Sequence, residues 1–242
     1  MVVYLIRKLE QFTKLSNEEK RALENAAAQK VRRLGPREDI IHEGDRPRHL
    51  NLMLEGWACR YKVLEDGRRQ VVAFLVPGDM CDLRMSILRR MDHSIGCLSH
   101  ALVAEISADT VVELSDRYPA LRRALWWNSL VEEAKAREWI VNLGRRNAAE
   151  RMAHLFCEMY VRLRAIGLTI DRAFELPVTQ ELLSDAVGLS AVHVNRTLME
   201  LREANLISLK GKTLTILDPD GLEALALFSA DYLHLDRSGE AG

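Results

Sequence analysis

Glycine-containing turn signals recur at an even spacing through the first third of the chain. Gly44, Gly56, Gly67 and Gly78 are 12, 11 and 11 residues apart, and each follows Glu, Asp or Pro. Turns at this spacing are typical of short antiparallel strands. The segments suited to strands are rich in apolar and β-branched residues; they are 40–41, 52–54, 57–63, 71–76 and 102–106. The spacing therefore predicts an antiparallel β-roll or jelly roll of about 90 residues.

Helix signals stand on both sides of the predicted β-roll. Ser16 and Glu19 form a capping box at the start of an alanine-rich helix over residues 18–29. Pro119 fits the first turn of a long helix that extends to residue 146, since this stretch has no further proline. The chain therefore predicts an α+β fold in which a helix precedes the β-roll and a long helix follows it.

A hinge is predicted where the long helix ends. Asn147 and Glu150 form a second capping box, and apolar residues then recur at helical spacing up to Gly167. The predicted division is a β-roll domain with its N-terminal helix over residues 1–118, a connecting helix over 119–146 and a C-terminal domain over 147–242.

The long helix carries an apolar stripe that is broader than one neighbouring sheet requires. Two compatible interpretations fit the stripe: the helix lies on its own β-roll, or it also pairs with the same helix of a second copy. The residues predicted for such a dimer contact are Trp127, Val131, Ala134, Glu138 and Val141.

Two capped helices joined by a glycine follow in the C-terminal domain. Thr179 precedes a helix over residues 180–187, Gly188 is free to take a positive φ, and Ser190 caps a helix over 191–204. Apolar residues are spaced to form a small core between the helices. The side chains left to face outward are His193, Asn195, Arg196, Met199 and Arg202.

A β-hairpin with two lysines at its tip is predicted directly after these helices. Residues 206–209 and 213–216 are β-prone and flank Lys210, Gly211 and Lys212. In the functional interpretation the second helix enters the major groove, Arg196 reaches a guanine, and Lys210 and Lys212 contact phosphates. A helix-glycine-helix alone is more typical of an αα-hairpin used for packing or for protein contact, but the capped second helix and the lysine-bearing hairpin favour DNA binding.

Composition limits the other classes of protein. The chain has no run of about 18 apolar residues and no signal-peptide pattern at its start. Its four cysteines form no CxxC or Cys/His cluster, so we expect reduced thiols in a cytoplasmic protein with no metal and no cofactor. Residues 150–242 carry 9 basic and 14 acidic residues, so DNA binding must depend on local placement of cations.

Two stretches in the C-terminal part resemble the CRP/FNR superfamily of bacterial transcription regulators: TQELLSDAVGLSAVHVNRTL at 179–198 and NLISLKGKT at 205–213. The segments DIIHEG (39–44), LEG (54–56), PGD (77–79) and AEIS (104–107) are similar to segments of that family's effector-binding β-roll. The resemblance covers nearly the whole chain. It implies a homodimer that binds double-stranded DNA, with RNA polymerase and a small-molecule effector as further partners.

The resemblance also implies roles for individual residues of the C-terminal module. The candidate phosphate contacts are Thr179, Gln180, Ser190 and His193, Arg196 is the base-reading arginine, and the lysines of the hairpin contact the backbone. Ala191 and Val192 stand where the cAMP-responsive members have an arginine and a glutamate, so their operator cannot be assumed for this chain.

The effector region departs from the cyclic-nucleotide pattern. Cys81-Asp82-Leu83 replaces the Gly-Glu-Leu that holds the ribose, and His93-Ser94 replaces the Arg-Ser that clamps the phosphate. Without that arginine the phosphate lacks its bidentate partner, so we do not expect cAMP to bind. The candidate effector residues are Asp82, Leu83, Arg84, Ser94 and Arg137. Scattered cysteines and histidines in this region are consistent with a sensor or, more simply, with packing.

Two other functional classes are weighed against this one. An enzyme would need a nucleophile elbow, a phosphate-binding glycine loop or a carboxylate pair, and we find none in the sequence. A ligand-binding regulatory subunit that acts on a protein partner remains the alternative, and salt-dependent binding to duplex DNA separates the two.

Overall fold

The computed structural model describes residues 2–81, 83 and 89–235. Two helices, α1 (Val3–Leu9) and α2 (Asn17–Ala28), open the chain. The capping box predicted at Ser16 and Glu19 is present at the start of α2. Helix α1 was not predicted, and it packs its buried face of Leu5, Ile6 and Leu9 into the cluster beneath the β-roll.

The predicted β-roll is present and consists of two antiparallel four-stranded sheets. The first sheet has the order β1 (Val31–Leu34), β8 (Ala101–Ser107), β3 (His49–Glu55), β6 (Met80–Cys81). The second has the order β2 (Asp39–Ile41), β7 (Ser94–Cys97), β4 (Ala58–Val63), β5 (Arg69–Leu75). The four turn glycines all have positive φ, and a Cβ on Gly56 would collide with the carbonyl oxygen of His100. The evenly spaced glycines therefore lie in turns, as the sequence predicted.

Three helices follow the sheets. Helix α3 (Ala108–Arg117), which the sequence did not predict, is capped by Ser107 and leads into α4 (Pro119–Arg145), the predicted long helix. Helix α5 (Ala148–Ile166) begins at the predicted capping box of Asn147 and ends at Gly167, whose φ is +77°.

The C-terminal part adds three more α-helices and a small sheet to α5. These elements are β9 (Ala173–Glu175), α6 (Gln180–Val187), α7 (Ala191–Glu203), β10 (Ile207–Lys210), β11 (Thr213–Ile216) and α8 (Pro219–Ala226). The predicted hairpin is β10 and β11, and β9 extends it to three strands in the order β10-β11-β9. A 3-10 helix at Asp231–Leu233 ends the described chain.

One apolar cluster joins the β-roll to the C-terminal part. Trp57, Val71 and Phe74 from the strands belong to the same buried cluster as the faces of α5, α6 and α7. The predicted boundary after residue 146 therefore separates two segments of the chain but not two hydrophobic cores.

Candidate nucleic-acid interface

The helix-turn-helix is held by a small, dry core. Leu183 and Val187 of α6 face Val194, Leu198 and Leu201 of α7, and each of these side chains is at most 1% exposed. Gly188 between the helices has a φ of +65°, the left-handed region that glycine adopts without strain. This packing sets which face of α7 is turned to solvent.

Both helices of this module begin with a hydroxyl cap. The Thr179 side chain accepts a hydrogen bond from the Leu182 N–H, and the Ser190 side chain accepts one from the His193 N–H, each at 3.2 Å. A capping hydroxyl uses its oxygen as the acceptor, so its own proton stays available to donate to a phosphate oxygen. The capping role and the predicted phosphate contact are therefore compatible at Thr179 and Ser190.

The outward face of α7 carries the side chains that the sequence predicted there. Asn195 and Arg196 are exposed, and His193 is half-buried. The Arg196 side chain is 68% exposed and its Nε lies 3.7 Å from Glu200 Oε1, one helical turn away. An exposed ion pair of this kind contributes less than about 1 kcal/mol, so DNA can displace it.

The hairpin places two exposed lysines beside a glycine. Lys210 ends β10, opposite Thr213 of β11, and Gly211 turns the chain with a φ of +58°. Lys212 is held through its backbone, because the Leu176 N–H donates a 2.7 Å hydrogen bond to its carbonyl oxygen. Gln180 is exposed at the first turn of α6. The module thus presents helix caps, a polar helix face and a cationic tip together.

Comparisons with known proteins agree with this geometry. Residues 31–118 match the cyclic nucleotide-binding domain, and residues 150–225 match the Crp-like helix-turn-helix domain. The nitrogen fixation regulation protein FixK of Bradyrhizobium diazoefficiens is 31% identical over 189 residues, which is 78% of each chain. The chain belongs to the CRP/FNR superfamily.

A second relative supports the same CRP/FNR assignment, and a solved structure shares the fold. The transcriptional activatory protein AadR of Rhodopseudomonas palustris is 30% identical over 195 residues, which is 80% of each chain. The structure of FixK2 from Bradyrhizobium japonicum superposes with a TM-score of 0.74 at 24% identity and covers 83% of this chain and 98% of that one. This CRP/FNR protein is therefore a DNA-binding transcription regulator and not an enzyme, as the sequence predicted.

The β-roll holds α6 of this CRP/FNR regulator in place through polar contacts. Arg69 of β5 donates to Asp185 Oδ2 at 2.7 Å, and the side chain of the next residue, Gln70, donates to the Ala186 carbonyl at 3.3 Å. Burial lowers the pKa of Arg69, but the hydrogen bond to Asp185 and the negative charges around it together outweigh burial and raise this pKa above its usual value. These partners are 116 residues apart, and no local sequence pattern marks them.

A buried ionic network ties α5 to the rest of the molecule. Arg162 donates to Asp79 at 2.7 Å, to Glu158 at 3.1 Å and to the Phe74 carbonyl at 3.0 Å. Lys8 of α1 also donates to Asp79 at 2.7 Å. Burial raises the pKa of Asp79, but the charges of Lys8 and Arg162 outweigh it and hold this pKa below its usual range. The carboxylate therefore stays charged inside the protein.

Three of the predicted effector residues belong to the described part of the chain, and they lie on different elements. Leu83 packs on the apolar cluster that contains α1, and Ser94 is buried in β7, where its hydroxyl accepts from the Glu43 N–H at 2.9 Å. Arg137 is exposed on α4 and lies 4.0 Å from Glu133. Asp82 and Arg84 lie outside the described residues. His93, which replaces the phosphate-clamping arginine, contacts Asp92 at 2.8 Å.

The cysteines of the β-roll are buried thiols. Burial raises the pKa of Cys59 to about 12 and the pKa of Cys97 to about 11. A thiol with so high a pKa carries almost no thiolate at neutral pH and reacts slowly. This favours the packing interpretation of these residues. Within the described part of the chain, no three His, Cys, Asp or Glu side chains group closely enough to hold a metal ion.

The long helix α4 faces inward at most of the positions predicted for a dimer contact. Val131 and Ala134 are buried in the protomer, and Trp127 stacks on Phe12 at a ring distance of 5.6 Å. Glu138 lies 2.8 Å from Arg146. Val141 is exposed, and Trp127 and Glu138 are partly exposed.

None of the helices within residues 2–81, 83 and 89–235 combines the length and the apolar composition that crossing a bilayer requires.

Proposed function

We propose that this regulator binds operator DNA by inserting α7 into the major groove. The planar guanidinium of Arg196 then hydrogen-bonds a guanine, and the amide of the neighbouring Asn195 hydrogen-bonds an adenine. Thr179, Gln180, Ser190 and His193 donate to phosphate oxygens around the groove. The residues on the exposed face of α7 with bidentate side chains are assigned to bases, and the other hydrogen-bond donors are assigned to phosphates.

Lys210 and Lys212 contact the phosphate backbone from the tip of the hairpin. Their ammonium groups are point charges on flexible stems, which suits sequence-independent contact. The single observation that carries the proposal is that Arg196 is 68% exposed on a capped helix whose opposite face is buried. An arginine packed into the protein core could not reach a base.

The active form is proposed to be a homodimer that pairs through the exposed face of α4. Trp126, Leu130, Ile140 and Val141 lie on this face, and Leu130 and Ile140 are 59% and 70% exposed. This revises the predicted contact, because Val131 and Ala134 point into their own protomer. Four large apolar side chains along one helix face are typical of a helix that packs on a partner.

The remaining partners follow from the function of the family. A transcription regulator works where the chromosome is, so we place this protein in the cytoplasm, in contact with RNA polymerase. The β-roll is proposed to take a small-molecule effector other than cAMP, because His93 and Ser94 offer the phosphate no bidentate cation. A thermal-shift screen of small molecules against the full-length protein identifies the effector by the rise in melting temperature that its binding causes.

Selection of bound sequences from a random duplex library tests the proposed function. The full-length protein should enrich a two-fold symmetric motif with half-sites about one helical turn apart, because each α7 of a dimer reads one half-site. Arg196→Ala serves as the matched control and should enrich a motif with one degenerate position in each half-site. Enrichment of no sequence over random DNA would contradict the proposal.

A further inference from the structure

Val192 is an apolar side chain at the centre of the face proposed to meet DNA. It is the second residue of α7 and is 82% exposed. The neighbouring Val194 is fully buried, so the helix is rotated such that residue 192 points away from the protein.

The residues one turn further along α7 carry base-reading chemistry. Residues three and four positions apart share one face of a helix, with Cβ atoms roughly 5–6 Å apart. Asn195 and Arg196 therefore flank Val192 on the same face, and both are exposed. Successive base pairs are about 3.4 Å apart along the duplex. A side chain at 192 thus reaches a base pair one or two steps from the pair that Arg196 contacts.

Only one base offers an apolar group in the major groove. Thymine carries a 5-methyl group there, whereas the other edges present hydrogen-bond donors and acceptors. A valine cannot satisfy those groups, and burying them against it would cost free energy. We infer that Val192 contacts a thymine methyl in each half-site, within two base pairs of the guanine read by Arg196. This inference rests on the proposed function and specifies part of the operator.

A protein partner is a weaker explanation of the exposed valine. A docking surface for a protein would extend the apolar patch, but the residues one turn along the same face are Asn195 and Arg196, and the next exposed apolar side chain, Met199, lies two turns away. An apolar side chain whose nearest neighbours on the face are hydrogen-bonding groups matches a groove edge, where a methyl group lies among polar atoms. Methyl-independent binding of DNA would instead favour the protein partner.

Replacement of thymine by deoxyuridine tests the inference directly, because it removes only the 5-methyl group. Starting from the operator selected by the full-length protein, each thymine of both half-sites is replaced in turn, and affinity is measured by fluorescence anisotropy. We expect one position at which the loss of the methyl weakens binding about fourfold per half-site, the value for one buried methyl group. Val192→Ala should bind thymine and uracil operators equally.

Two variants keep the outcome interpretable. Alanine favours a helix more than valine does, so Val192→Ala should fold normally, and Val192→Ile should retain the preference for thymine. The inference is overturned if no thymine position responds to uracil, or if the response persists in Val192→Ala, while the protein still binds its operator selectively. Failure of the proposed function is a different result, since the protein would then select no operator at all.

Discussion

Arg196 and Lys212 are both exposed cations of the DNA-binding module, but they differ in what they can distinguish. Arg196 projects from the face of α7, and its planar fork matches the two acceptors of guanine. Lys212 lies at the tip of the hairpin, and its ammonium attracts any phosphate. The same formal charge therefore contributes to specificity at one position and to overall affinity at the other.

Replacing each cation by alanine should separate these contributions. Arg196→Ala should cost about 1 to 3 kcal/mol of binding free energy on the selected operator and relax the base preference at one position per half-site. Lys212→Ala should weaken binding to all sequences alike and reduce the slope of log affinity against log salt by about one. Anisotropy titrations at several salt concentrations measure both effects, and identical behaviour of the two variants would contradict the assignments.

The turn between α6 and α7 sets the angle at which α7 is presented. Gly188 holds this turn with a φ of +65°, and a Cβ at this position would meet only Leu143 and Arg151 at 3.6 and 3.7 Å. These are ordinary van der Waals distances, so there is room for a methyl group. The requirement for glycine is therefore one of backbone conformation and not of space.

Gly188→Ala should accordingly destabilise the protein by about 1 kcal/mol, the cost of placing an L-residue in the left-handed region. Gly188→Asn is the matched control and should cost less, because asparagine tolerates this conformation through local hydrogen bonds. The free energy of unfolding in urea measures both changes. A larger loss in the asparagine variant would show that side-chain volume, and not φ, limits this position.

The whole molecule is held together by contacts between segments that are remote in the sequence. The shared apolar cluster buries strands of the β-roll against α5, α6 and α7. Within it, Glu158 accepts hydrogen bonds from Trp139 of α4, Arg162 of α5 and Tyr232 near the end of the described chain. The β-roll and the DNA-binding module should therefore lose their structure together when this network is broken.

Arg162→Met should destabilise the protein by about 3 to 5 kcal/mol, because it leaves Glu158 buried without a cation and Asp79 with Lys8 alone. Tryptophan fluorescence follows unfolding of the chain up to Trp139, and amide hydrogen exchange of α7 follows the C-terminal part. The stability measured by the two probes should fall by the same amount. Arg68→Ala removes an exposed pair with Asp66 and should change stability by less than about 0.5 kcal/mol. A shift in only one of the two probes would contradict the single cooperative unit.

The sequence by itself determined the features that depend on neighbours in the chain. Turn glycines, capping boxes at Ser16 and Asn147, and the periodicity of α6 and α7 are local signals, because a residue and its near neighbours decide backbone conformation. They identified the β-roll, the long helix and the winged helix-turn-helix, and they placed Arg196 on the outward face.

Only the tertiary structure decided what covers each apolar face. Periodicity shows that α4 has a broad apolar stripe, but Val131 and Leu130 are equivalent by that criterion, and only the first is buried. The pairs Arg69 with Asp185 and Arg162 with Asp79 also leave no trace in local pattern, because their partners are 116 and 83 residues apart. Burial and long-range pairing are properties of packed elements, which form only once the whole chain has folded.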